Sequence, residues 1–156
     1  MKITLLVLGK TSDARLVSLI GEYQQRLTHY VPFDFVVIPD IKNAKSLTQD
    51  QLKAAEGEAI LRFLTPAMDV LLLDEHGREY RSIEFAGFLQ RKMSSGRDLV
   101  LIIGGAYGFS PAVYARANGK ISLSQMTFSH QMIRLMAIEQ IYRAMTILRG
   151  EPYHHE

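Results

Sequence analysis

Five short apolar runs alternate along the chain with stretches in which apolar residues recur every three or four positions. The runs Lys2–Leu8, Phe33–Ile38, Asp69–Asp74, Leu99–Ile103 and Lys120–Leu123 are predicted strands. The third and fourth are apolar at nearly every position, the pattern of strands covered on both faces of a parallel sheet. Between them the spacing predicts five helices. One follows Asp13, with Leu16, Ile20, Tyr23 and Leu27 on one face. The next follows Ser46, whose S-x-x-Q spacing to Gln49 resembles a capping box; its stripe runs through Leu52, Ala55, Ala59 and Phe63 until Pro66 bars continuation. A third begins near Ser82 and stops at Gly96. The fourth is announced by Ser110-Pro111, a cap followed by proline at the first helical position, and ends at Asn118-Gly119. The last runs from about Gln131 to Arg149, with Ile133, Ala137, Ile141, Met145 and Leu148 aligned, and is closed by Gly150 and Pro152.

Such alternation means an α/β fold with a mainly parallel sheet. With 156 residues and no repeat, linker or low-complexity tract, the chain reads as a single domain over residues 1–156. The segment Asp40 to Lys45 is the expected mobile loop. Ligands of open α/β sheets bind beyond the carboxyl ends of the strands. That rule nominates four segments: Gly9-Lys10, Asp74 to Gly77, Gly104 to Phe109, and Ser124 to Ser129.

Composition narrows the picture only a little. Without cysteine there is neither a disulfide nor a thiolate metal site, which suits a cytoplasmic chain. No apolar run is long enough for a signal-peptide core or a membrane span. The 18 Lys and Arg against 16 Asp and Glu leave a net charge of +2, a weak excess for gripping nucleic acid unaided. An RNA partner would require clustered cations, or charge doubled by dimerisation. Arg78, Arg81, Arg91, Lys92 and Arg97 gather around the third helix; Arg134, Arg143 and Arg149 lie along the fifth. Either set serves as a solvated helix face or as phosphate contacts.

Three motifs carry candidate chemistry. Gly104-Gly105-Ala106-Tyr107-Gly108-Phe109-Ser110-Pro111 joins a buried strand to a helix, and its glycines let a ligand lie directly on the main chain. It matches neither the dinucleotide fingerprint nor a P-loop. Ile121 to His130 is a polar stretch whose hydroxyls and amides could surround an adenine or a methionine moiety, or merely cap the last helix through Thr127 or Ser129. The tail Tyr153-His154-His155-Glu156 follows a helix stop, where chains commonly fray, yet it supplies imidazoles suited to proton transfer near neutral pH. With His130 it lacks the ligand spacing of a zinc site.

In this order and at these spacings the motifs resemble one family. Leu71-Leu72-Leu73-Asp74, Ile102-Ile103-Gly104-Gly105-x-x-Gly108-x-Ser110, Ser122-Leu123-Ser124-x-x-Thr127, His130-Gln131-x-x-Arg134, Glu139-Gln140-x-Tyr142-Arg143 and the final Tyr153-His154 are similar to the RlmH (YbeA-like) family over the whole chain. Its members are SPOUT-class methyltransferases acting on N3 of a pseudouridine in 23S ribosomal RNA. The resemblance implies a C-terminal trefoil knot, a homodimer whose partner subunit completes the site, and an assembled ribosome as substrate. It implies S-adenosylmethionine as donor, held by Leu73, Gly105, Ser124, Gln125, Met126, Thr127, Phe128 and Ser129. No metal is needed, because the sulfonium already activates the methyl group. His154 would be the base for the imide proton, with Tyr153 orienting it; His130, Arg134 and His155 would meet the RNA. Three positions depart from the family pattern: Ala106 and Ser129 stand where proline is common, and His155 where arginine is. That last change trades a two-point phosphate contact for a weaker, pH-dependent one. N3 lies on the Watson–Crick edge, so the target base must be unpaired or turned out of its stack. Two rival readings have sequence discriminators. A non-catalytic ribosome-binding or assembly factor would bind no donor. A nucleotide-dependent oxidoreductase would need an acidic residue after the strand Lys120–Leu123, where Ser124 stands.

Overall fold

Five strands, β1 (Ile3–Leu8), β2 (Phe33–Ile38), β3 (Asp69–Glu79), β4 (Leu99–Ile103) and β5 (Gly119–Ser122), form one sheet in the order β2-β1-β4-β3-β5. Every neighbouring pair is parallel. The computed structural model describes residues 1–155; Glu156, the end of the expected catalytic tail, lies outside the described residues. Helices α1 (Ala14–Leu27), α2 (Gln49–Phe63), α3 (Ser82–Ser94), α4 (Pro111–Arg116) and α5 (Met132–Leu148) cover both faces of the sheet.

Successive strand side chains point to opposite faces, and the core divides accordingly. Ile3, Leu5, Val7, Leu71, Leu99 and Leu101 pack with Ile20, Leu27, Phe85, Leu89, Ile138 and Ile141 of α1, α3 and α5. Leu6, Leu8, Val70, Leu72, Val100 and Ile102 pack on the other face with Ile60 of α2 and Val113 of α4. Burial on both sides explains why these strands are continuously apolar rather than alternating.

Two elements begin or end elsewhere than the pattern predicts. The α2 cap is Thr48, not Ser46: the Thr48 hydroxyl accepts the Gln51 N–H at 3.1 Å and the Gln51 side chain accepts the Thr48 N–H at 3.0 Å. Ser46 instead ends a 3-10 turn, Ala44–Ser46, that follows Asn43 at φ 58° and organises the loop expected to be mobile. Its hydroxyl donates to the Asn43 carbonyl at 2.7 Å. The buried face of α2 also centres on Gly57 and Ile60 rather than on the expected stripe. Strand β3 runs past Asp74 to Glu79, with a register shift between Leu73 and Arg78 where both pair with Ile121. A Cβ on Gly77 would come within 2.5 Å of the Ile121 backbone, so only glycine lets the two strands approach there. The polar residues of this extension conceal it from any hydrophobic pattern.

From the edge strand β5 the chain must return to the interior strand β1, and Arg134 secures that return. It is 1% exposed. Its Nε donates to the His130 carbonyl at 3.1 Å, Nη1 to Gly9 O at 2.8 Å and Thr11 Oγ1 at 3.0 Å, and Nη2 to Leu8 O at 2.6 Å. Beside it, the Gln131 side-chain oxygen accepts the Ser12 N–H at 2.9 Å. The expectation that Arg134 meets RNA is therefore corrected: it is enclosed by its own chain and ties α5 to the end of β1. The other cations are also partly committed. Lys92 pairs with Asp69 at 2.9 Å, Arg97 donates to Ala67 O and Met68 O, and Arg149 donates to His29 O.

Replacing Arg134 by Met should leave buried carbonyls unsatisfied and cost about 2–4 kcal/mol in urea unfolding. Arg134→Lys should be nearly as costly, since an ammonium cannot span the same fork of acceptors. An unchanged unfolding midpoint in both variants would refute this role.

Candidate functional site

Strands β3, β4 and β5 end side by side, and the loops leaving them enclose a cavity of about 480 Å³, within the usual range for small-molecule sites. Leu73 and Asp74 contribute the β3 wall, and Gly104 to Phe109 the β4 wall. Ser122 at the end of β5 and Leu123, Ser124, Met126, Thr127 and Phe128 after it form a third wall, and His130 and Ile133 close the α5 side. Three of the four nominated segments meet here. Gly9-Lys10 does not: Gly9 sits at φ 77° with its carbonyl held by Arg134.

The glycine loop is shaped by what surrounds it. A Cβ on Gly104 would lie 3.1 Å from the Phe109 ring, and one on Gly105 would lie 2.5 Å from the Glu56 carboxylate. Gly105 and Gly108 close a tight turn, with the Gly108 N–H donating to Gly105 O at 3.1 Å and Gly108 at φ 83°. Glu56 is a participant that sequence reasoning missed. One of its oxygens is buried without a hydrogen-bond partner among the described residues. Burial, and then the nearby charge of Asp40, raise its carboxyl above the ordinary range. A side chain at 105 would therefore have to displace the Glu56 carboxylate of α2 behind the loop.

A second unforeseen pair is Asp74 and Tyr114, both in the cavity wall. The Tyr114 hydroxyl donates to Asp74 Oδ2, and the His76 N–H donates to Asp74 Oδ1 at 2.8 Å. Burial pushes the Asp74 carboxyl up, but these hydrogen bonds, with the charges of Lys120 and His76, outweigh it and leave the carboxyl below its usual value. Burial and then Asp74 push the Tyr114 phenol up to about 12. The pair fixes the mouth of β3 against α4.

The segment after β5 is held by its own hydroxyls. Ser122 Oγ donates to Ser124 O at 2.8 Å, and Ser124 Oγ accepts the Met126 N–H at 2.9 Å. Met126 is 78% exposed. Gln125 turns away to Glu79 at 3.0 Å, and Ser129 Oγ accepts the Met132 N–H at 3.1 Å. These two of the expected donor residues do not line the cavity, whereas Leu73, Gly105, Ser124, Met126, Thr127 and Phe128 do.

The tail docks on α1 and α5 through Tyr153 and His154. The Tyr153 hydroxyl donates to Glu139 Oε1 at 3.0 Å and lies 3.2 Å from the Tyr23 hydroxyl, while its ring meets Tyr142 edge-on with centroids 4.8 Å apart. Burial, then hydrogen bonding to Tyr23 and Glu139, holds the phenol far above its ordinary value, so it stays a donor. His154 Nδ1 lies 3.1 Å from Arg143 Nη1. A guanidinium only donates, so Nδ1 is the acceptor and its lone pair is engaged. Arg143 Nη2 also donates to Glu139 Oε1 at 2.7 Å, and Glu139 Oε2 accepts from Gln140 at 2.9 Å. His155 is exposed. None of Tyr153, His154 and His155 lines the cavity of its own chain.

Two measurements test this geometry. Because the Asp74 value is depressed, the support of its carboxylate for the fold is complete above the ordinary carboxylate pKa of about 4 and is lost as pH falls through the lowered value. Tyr114→Phe should move the Asp74 carboxyl NMR titration upward; an unmoved titration would remove the pair from the account. Gly105→Val should push against Glu56, displace the loop and lower the midpoint of thermal unfolding. Glu56→Ala should restore part of the midpoint lost in a Gly105→Ala background. No restoration would mean that the Gly105 contact with α2 is not what limits side-chain size there.

Known proteins match this chain along its full length. Residues 1–154 match the family described as "Predicted SPOUT methyltransferase". The chain is 59% identical to "Ribosomal RNA large subunit methyltransferase H" of Parabacteroides distasonis and 57% identical to the protein of that name from Bacteroides thetaiotaomicron, with 100% of both chains covered in each case. A crystal structure of a probable methyltransferase from Bordetella pertussis Tohama I superposes with a TM-score of 0.56 over 92% of this chain and 93% of its own, at 12% identity, a likeness of fold alone. With its glycine loop, its post-β5 segment and the Tyr153-His154 part of its tail inside the matched residues, the chain belongs to the SPOUT methyltransferase family.

Proposed function

We propose that this methyltransferase acts on N3 of a pseudouridine in 23S ribosomal RNA, on the assembled ribosome, as a cytoplasmic homodimer with a trefoil-knotted C-terminal part. The observation that carries the reading is the cavity at the ends of β3, β4 and β5, walled by a glycine loop and the Ser122–Phe128 segment. Relatives above 50% identity are named for ribosomal RNA, which supports the substrate class. A knotted path is supported by the return of the chain from edge strand β5 to interior strand β1 across the loops of β3 and β4. Such threading is rare.

The wall composition fits S-adenosylmethionine. Leu73, Ile103 and Phe109 offer apolar surface for a purine, the glycine loop offers bare backbone, and Asp74 offers a negative charge toward a cationic ligand. Leu73, Gly105 and Ser124 to Ser129 would hold the donor, with Gln125 and Ser129 acting through their main chain because their side chains are engaged elsewhere. When bound, the donor supplies a methyl group already activated by its sulfonium. The chain's own task is to position a turned-out base and to remove the N3 proton; positioning contributes several kcal/mol, of order 7 or more in favourable cases, and a general base roughly 10²–10⁴-fold.

His154 is the proposed base, and it accepts a proton once Arg143 releases Nδ1. Tyr153, anchored on Glu139, orients it. Since the tail does not line its own cavity, the tail of a second copy of the chain completes each site. His130 at the cavity rim and exposed His155 contact the RNA.

Mixing subunits tests the reading. Gly105→Val, lacking donor binding, and His154→Ala, lacking the base, should each be nearly inactive on ribosomes. Co-refolded in equal amounts, they should recover about a quarter of wild-type sites, because half of the dimers then hold one intact site of two. No recovery would refute a shared site. Ribosomal RNA from cells lacking the protein should lack one methyl group by mass spectrometry, and an unchanged spectrum would refute the activity.

A further inference from the structure

A second cavity, of about 290 Å³, lies between α3, β5 and α5 and shares Ser122, Leu123 and Phe128 with the cavity described above. A molecule in either one therefore touches the same wall as a molecule in the other, the adjacency that transfer between two bound partners demands. Tyr80 and Phe128 give it aromatic surface, and Met136 lines it from α5. The Arg78 guanidinium lies over the Tyr80 ring, 4.9 Å from its centroid, and the Phe88 ring packs 5.0 Å from it, so Tyr80 is held firmly in the cavity wall.

The polar group of most consequence here is the amide of Gln140. One of its N–H groups donates to Glu139 Oε2 at 2.9 Å, the carboxylate that also anchors Tyr153. Among the described residues no hydrogen bond takes its carbonyl oxygen or its other N–H. An amide so held offers one acceptor and one donor side by side, at a fixed place in a largely apolar cavity.

We propose that this second cavity is the subsite for the target nucleobase, and that the Gln140 amide there selects pseudouridine over uridine. Pseudouridine is joined to its ribose through carbon, so its ring keeps an N1–H next to the C2 carbonyl. The amide oxygen of Gln140 accepts that N1–H, and its N–H donates to the C2 oxygen. In uridine N1 carries the ribose, the donor is missing, and the amide oxygen is left unpaired, which is how a hydrogen-bonding site rejects an analogue. Tyr80 and Phe128 give the unstacked base apolar aromatic surface to lie against. This inference rests on the proposed transfer to pseudouridine and adds the place and the residue that recognise it.

The test compares two substrates with one protein: ribosomes bearing the natural pseudouridine, and ribosomes from cells unable to isomerise that uridine. Full-length wild-type protein should methylate the first with higher kcat/KM. Gln140→Met, close in size and shape, should lower that preference by about ten-fold, the worth of one to two hydrogen bonds. It should do so by slowing the pseudouridine reaction more than the uridine reaction, with the donor affinity unchanged. Tyr80→Leu should slow both substrates alike and keep the preference. A preference unchanged in Gln140→Met overturns the assignment, as does a wild-type enzyme that treats both substrates equally while still methylating them. A wild-type enzyme that methylates neither removes the proposed function and this inference together.

Discussion

A guanidinium taken out of water is costly unless each of its hydrogens finds an acceptor, and Arg134 finds four oxygens on two separate pieces of chain. Two of them are the carbonyls of Leu8, the last residue of β1, and of Gly9 just beyond it, where the strand ladder ends. The helix that carries Arg134 must therefore start beneath β1, although the strand preceding it lies at the far edge of the sheet. The segment between them is stretched across the ends of β3 and β4, which is where the cavity forms. Fold and site share this one constraint.

The cavity inherits its character from that crossing. Loops laid over strand ends expose backbone, and the glycines of the β4 loop keep it bare. The hydroxyls of Ser122 and Ser124 are turned inward to brace the crossing segment itself. Titratable side chains arrive from the helices: Tyr114 from α4 meets Asp74 in the cavity wall, and away from it the carboxylate of Glu139 on α5 gathers Arg143, Gln140 and Tyr153. Rigid helices thus place the titratable groups, and loops place the surfaces against which ligands lie.

Hydrophobic periodicity is legible where both faces of an element are buried, so β1, β4 and the apolar part of β3 stand out in the sequence. Gly77 to Glu79 are polar yet extended, because a strand can be held by backbone pairing with β5 alone, and no apolar pattern reports that. The α2 cap was displaced by two residues because Ser46 and Thr48 both precede a glutamine at the proper interval, and local spacing cannot choose between them. Arg134 looks like an RNA contact in sequence, since a cation's burial depends on acceptors 120 residues away in the chain, as the Arg134 bonds to Leu8 and Gly9 illustrate with separations of 126 and 125. The glycine loop and the Ser122–Phe128 segment were recognisable from composition and order. Glu56 and Tyr114 were not, because each lies on a helix that gives no local hint of the loop it backs.

The contact between Gly105 and Glu56 bears on how this protein can change over generations. A larger residue at 105 is obstructed while a carboxylate occupies the space behind it, whereas shortening residue 56 would open that space. The two positions are therefore coupled: with Glu56 in place, a side chain at 105 must first turn that carboxylate aside, and a shorter residue at 56 lifts the requirement.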